Sequence, residues 1–183
     1  MTTSGFRIEG ILTFRSGDTI IQSNVKNHWV KNGLDGIATC LMGNYISGAT
    51  WLINHPSFQS KAYIAVGDDP TVTTENSTTI LNEIKCSGYQ GSSATKDTSG
   101  NYSVVYTGVF GVGVVNQPIE EVGLFLSPYI NLTANWISSN SSPPATPAVL
   151  CARVSTGDGA FTSFTPSATE VFSVDWEIRV VDA

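Results

Sequence analysis

Few side chains in this 183-residue chain could do chemistry, and their spacing decides what that chemistry would be. Glu120 and Glu121 are adjacent, and a general acid and base must reach one site. Neighbours on a strand point to opposite faces, so these two cannot share a site unless a bulge turns them. At least one is expected in solvent or satisfied by a backbone donor. Asp68, Asp69 and Asp158 offer oxygen ligands to a hard cation such as calcium. Beside Gly67, Pro70, Gly157 and Gly159, however, they are the residues of ordinary turns. Cys40, Cys86 and Cys151 show no CxxC spacing, and neither His28 nor His55 is tied to one by a known motif. Cys40 and Cys151 read as small core residues, and a Cys86–Cys151 bridge stays open. Gly108, Gly111 and Gly113 run GxxGxG, the reverse of a dinucleotide fingerprint, with Asn116-Gln-Pro118 where a helix should begin. A bent strand explains them better. The expectation is no catalytic residue, no cofactor and no metal.

Aromatic residues beside amides are the remaining candidates. Tyr129 and Trp136 lie in or beside a Ser/Asn-rich stretch, where a ring can stack on a sugar or fill a partner's pocket. With Asp68, Asp69 and Tyr89 they make up the candidate contact loops; folding back over a sheet edge is the plainer role for Trp136. Composition narrows the partners. Charged residues are 13% of the chain, against a typical quarter. Ser, Thr, Asn and Gly number 21, 20, 12 and 17, so hydroxyls and amides solvate the surface. A net charge of −6 leaves no electrostatic footprint for nucleic acid, and no apolar run approaches the ~20 residues of a spanning helix. The first ten residues lack a basic and then an apolar stretch, so synthesis in a cytoplasm is expected.

The elements that must position these residues read as mainly β, in one domain over 1–183. Phe6 to Phe14 and Thr19 to Ser23 form a hairpin within 1–27. Val30, Leu34, Ile37, Ala38 and Leu41 fall on one helical stripe, predicting a single α-helix over 28–43. Residues 61–183 then supply strands: 62–66, 102–115, 119–126, 148–155 and a last one around Trp176. Ile80 to Lys85 reads as strand or short helix. Gly88 to Gly100 and Asn131 to Pro147 read as loops, and Gly157 to Gly159 as a tight turn. Phe172, Val174, Trp176, Ile178 and Val180 alternate with polar residues, so Trp176 belongs to a buried face. The expected fold is an antiparallel β-sandwich, jelly-roll-like, with that one helix.

The order of several segments resembles a family of small phage and archaeal-virus virion proteins, tail or tail-fibre-associated. Val30-Lys-Asn-Gly-Leu-Asp-Gly-Ile-Ala38 is similar to its N-x-G-L-x-x-I-A helix, one residue shorter. Ala62 to Gly67 resembles I-A-V-G-x-G, Leu81-Asn-Glu83 resembles L-x-N-E, and Tyr106 to Phe110 resembles Y-x-A-x-F. Ile119-Glu-Glu-Val-Gly-Leu-Phe125 is similar to I-x-E-V-G-L-F, and Leu150-Cys-Ala-Arg153 to L-x-A-R; a terminal strand like Val174 to Ile178 closes both. The resemblance implies a virion structural role and homo-oligomeric assembly. Partners would be copies of itself, other virion proteins and a host surface glycan or receptor, without membrane insertion. The residues expected to maintain the fold are Glu121, Gly123, Phe125 and Trp176; Gly123 leaves space for a neighbour. Glu83 could cap a turn or pair with Arg153. The competing function is a soluble carbohydrate-binding module.

Overall fold

The computed structural model describes residues 6–31, 33–34, 61–87, 89–96, 98, 101–127 and 149–182. They form ten strands: β1 (Phe6–Ser16), β2 (Thr19–Lys26), β3 (His28–Trp29), β4 (Lys61–Gly67), β5 (Glu83–Cys86), β6 (Tyr89–Lys96), β7 (Tyr102–Phe110), β8 (Glu121–Ser127), β9 (Val149–Ser155) and β10 (Phe172–Asp182). All pairings are antiparallel. Sheet A has the order β2-β1-β10-β7-β6, and sheet B the order β3-β9-β8-β4-β5.

Alternation builds one core between them. Leu12 and Phe14 of β1, Val174 and Trp176 of β10 and Phe110 of β7 bury their side chains from sheet A. Ala62, Ile64 and Val66 of β4, Val122 and Leu124 of β8, and Ala152 and Val154 of β9 join the same cluster from sheet B. Trp176 sits between Leu12 and Tyr106 in register and is fully buried. Phe161 and Phe164, from the β9–β10 connection, pack on Phe14 at ring separations of 5.3 and 5.1 Å. That connection also pairs with the start of the β8 region through the Ile119 N–H and the Phe164 carbonyl at 2.8 Å.

Four boundaries differ from the sequence expectation. His28 and Trp29 are extended, paired with Arg153 and Ala152, so the predicted 28–43 helix does not begin there. Helical geometry starts at Lys31 and includes Gly33 and Leu34; residues 35–43 lie outside the described residues. The reason is that pairing with β9 extends to the Val30 N–H, which donates to the Cys151 carbonyl. Second, 89–96 is not loop but β6, with residues 92–96 in unbroken register against β7. Third, the 102–115 strand ends at Phe110, because Gly111 to Val114 closes a turn. Fourth, Ile80 to Lys85 resolves into β5 from Glu83 onward. Among the described residues β1–β2, β4–β5, β6–β7 and β8–β9 are neighbours within one sheet. Cys86 and Cys151 are both free thiols, so the bridge left open by the sequence does not form.

Candidate functional site

Every ionisable cluster in the described residues lies on one of two surfaces, the outer face of sheet B or the outer face of sheet A. On β8, Val122 and Leu124 point into the core, which sends Glu121, Gly123 and Phe125 to the other side of sheet B. That side is not open. The β4–β5 connection, 68–82, runs back across it and is held by a buried ion pair.

Glu121 and Arg153 are both essentially inaccessible, with side chains 0% and 1% exposed. In the β8–β9 register Arg153 faces Gly123, and Glu121 faces Ser155, so the two charges are diagonal neighbours on one face. Arg153 donates to Glu121 Oε2 from Nε at 2.9 Å and from Nη2 at 2.7 Å. Its Nη1 donates to the Thr71 carbonyl at 3.0 Å and to Thr73 Oγ1 at 3.4 Å. The carboxylate also accepts the backbone N–H groups of Asn82 at 2.8 Å and Leu81 at 3.1 Å. Removing such charges from water costs several kcal/mol each, which only this many donors and acceptors can offset. The sequence left Glu83 either to cap a turn or to pair with Arg153; the partner of Arg153 is Glu121. Glu83 sits nearby, and burial, reinforced by Glu121, pushes its carboxyl above the ordinary range.

Asp158 is the second anchor. It accepts from the Thr73 N–H and hydroxyl, both at 2.7 Å, and from the Ser155 N–H at 2.8 Å. Burial alone would push its carboxyl up; the hydrogen bonds from Thr73 and Ser155, with His28 nearby, outweigh it and hold the carboxyl below its usual range. Beneath the same segment Gly157 packs so closely that a Cβ there would run into the Pro70 carbonyl. Gly123 is similarly hemmed in, by Leu150 and Ile80. Asp69 accepts from the Thr71 N–H at 2.8 Å in a two-residue turn, and Asp68 accepts from the Asn82 carboxamide. The three aspartates thus each hold their own piece of the strap, and among the described residues no group of three metal-ligating side chains converges. Two buried protons complete this face. Burial, then the neighbouring Cys86 charge, pushes the Tyr63 hydroxyl up to about 12, and burial, then Glu83, pushes the Cys86 thiol up to about 12. Neither is a nucleophile near neutral pH.

Sheet A presents the opposite character on its outer face. Arg15 donates to Asp175 at 3.2 Å, Thr107 donates to the same carboxylate at 2.8 Å, and Arg179 donates to Glu177 at 2.7 Å. Arg7 and Glu9 pair at 2.9 Å. These groups are partly exposed, and they make a polar ladder across β1, β10 and β7. At one end an open cleft of about 400 Å³ includes Thr95, Asn101, Ser103, Glu177 and Arg179.

Among the expected contact residues, Asp68 and Asp69 are therefore partnered within the chain, and Tyr89 lies opposite Gly108 at the start of β6. Tyr129 and Trp136 fall outside the described residues. The Glu121–Arg153 pair is the feature that sequence reasoning missed. Its signal was a single arginine inside the apolar run Val149-Leu-Cys-Ala-Arg-Val154. A charge there must find a buried partner or disrupt the strand. The chain matches no family model, no curated protein and no solved structure.

Proposed function

We propose that this chain is a structural subunit of a virus particle, a sandwich of two facing sheets that assembles with copies of itself and is exposed outside the cell in the particle. The observation that carries this reading is how its charges are used. The best-buried acid and base among the described residues hold the chain's own strap closed on sheet B, while sheet A keeps a face of partly exposed ion pairs and hydroxyls and an exposed strand edge at 93–96. That is the economy of a building block, not of a reaction centre. The virion-like fragments add support by their placement, since Ala62–Gly67, Ile119–Phe125 and Leu150–Arg153 lie on or adjoin β4, β8 and β9, three neighbouring strands.

Immunogold microscopy with an antibody raised against the purified chain tests the reading. Regular labelling of intact particles is the expected result; particles free of the chain would overturn it. One observation favours a second function, a carbohydrate-binding module: the Glu177–Arg179 pair in the cleft with Asn101, Ser103 and Thr95 is a donor–acceptor set suited to vicinal hydroxyls. A glycan array probed with the purified chain decides that alternative, which Arg179→Ala would abolish.

A further inference from the structure

We infer that the outer edge of β6 pairs antiparallel with the same edge of a second copy, about a two-fold axis through Ala94. The inference rests on the assembly reading above and names the surface that assembly would use.

Sheet A has two edges, and the chain treats them differently. At β2 the pairing with β1 slips twice, between Leu12 and Phe14 and again between Phe14 and Arg15. Asn24 adds a left-handed residue with φ of 58°. Gln22 is clasped by residue 162, donating to the Thr162 carbonyl at 2.7 Å and accepting its N–H at 3.1 Å. Bulges and bonds of this kind are how proteins blunt an edge against further pairing. Sheet B ends in β3 and β5, only two and four residues long.

At β6 the pairing slips once, between Tyr89 and Ser92, and is regular from there to the end of the strand. Residues 92–96 hold five consecutive registered pairs with β7, from Ser92↔Tyr106 to Lys96↔Tyr102, and Ser93 through Lys96 are exposed. Among the described residues, no backbone hydrogen bond outside the β7 ladder reaches 92–96. Among the described residues nothing pairs with the outer side of 92–96, and a regular edge of mostly small side chains is a template for another strand.

Symmetry and charge select a second copy as that strand. With the axis at Ala94, Ser93 lies opposite Thr95 of the partner subunit, and Thr95 opposite Ser93 of the partner subunit. Hydroxyl pairs of this type stabilise antiparallel strands. Position 94 meets only itself, where a methyl group fits. Copies carrying −6 each repel, so a self-contact must avoid carboxylates, and Tyr89-Gln-Gly-Ser-Ser-Ala-Thr-Lys96 contains none. Its one charge, Lys96, lies over its own Tyr102 ring at 5.1 Å and falls opposite position 92 of the other copy, so like charges never meet. Five strands from each copy would then form one continuous sheet. The contact is isologous, and it closes as a dimer.

Two measurements on the full chain test this. Directly opposed residues of an antiparallel pair have Cα atoms about 4.5–5.5 Å apart, within disulfide reach. Ala94→Cys should therefore give an oxidised dimer on a non-reducing gel that is absent from the wild type, while Thr13→Cys, in mid-sheet, should not. In sedimentation velocity, Ser93→Glu combined with Thr95→Glu should shift the chain to monomer, because both registered pairs become like charges. Ser93→Lys combined with Thr95→Glu should restore the dimer; circular dichroism checks that each variant is folded. An oligomer that persists in the double-glutamate variant, without cross-linking through position 94, overturns the β6 contact and leaves the assembly reading standing. A wild-type chain that is monomeric at every concentration and in particles overturns both. An introduced thiol that cross-links in particles only to a different protein gives the edge to a foreign strand and also overturns the inference.

Discussion

Arg153 makes four hydrogen bonds to groups from two other parts of the chain, the β8 carboxylate and the strap carbonyl and hydroxyl. Arg153→Met would leave Glu121 buried and charged with only two backbone donors. A loss of about 3–5 kcal/mol in urea unfolding is expected, as for other broken buried pairs. Glu121→Leu added to Arg153→Met should recover part of that loss, and strictly additive costs would show that the two charges are not coupled. Asp158 provides the pH dependence. Its carboxyl titrates lower in the folded chain than the ~3.9 of an unfolded aspartate, so the folded state binds fewer protons in that interval. Its contribution is complete above about pH 4 and disappears as pH falls through the lower folded value. Asp158→Asn should cost about 2 kcal/mol at neutral pH. It should also flatten the acid limb of a plot of urea midpoint against pH. An unchanged acid limb would contradict the assignment.

Elements differ in how far their sequences announce them. The terminal strand is plain because its apolar period of two carries five residues, and Trp176 is buried where that period puts it. Trp176→Ala should cost roughly 3–5 kcal/mol through cavity formation. Asp175→Ser, which loses an exposed contact to Arg15 and one to Thr107, should cost about 1 kcal/mol. Equal melting-temperature losses would mean the faces are reversed. β6 is illegible for the opposite reason. Gly, Ser, Ala and Thr on an edge contribute backbone hydrogen bonds, not apolar contacts, so composition imitates a loop. β3 was hidden because its two residues precede a sequence pattern of helical period, and tertiary pairing with β9 prevails over local pattern. The strap could not be read at all: its polar residues suggested solvent, whereas Thr73 is buried and Ile80 is buried with it. Nothing local in 68–82 specifies Arg153 or Asp158 as partners. Gly157→Ala should lift this strap, and hydrogen exchange at the Leu81 and Asn82 amides should speed up before that of the core strands.

Across the whole molecule, the contacts that matter are remote in sequence. β1 and β10 are central neighbours in sheet A, with residue 6 facing residue 182. β-rich chains dominated by such pairings refold on the order of milliseconds to seconds, and stopped-flow fluorescence of the full chain should fall in that range. Microsecond refolding would be inconsistent with this topology. The same pairing governs how the protein is made. β1, β2, β6 and β7 leave the ribosome first, but the strand that joins β1 to β7 is the last of the ten to be synthesised. Until β10 emerges, the nascent chain carries two separate hairpins with apolar faces unburied and four unsatisfied borders. A released chain ending at residue 171 should be protease-sensitive and engage holdase chaperones, and one that includes β10 should be resistant. Sheet A is therefore completed after synthesis of its other four strands, in one step, and its quality control depends on β10 arriving intact.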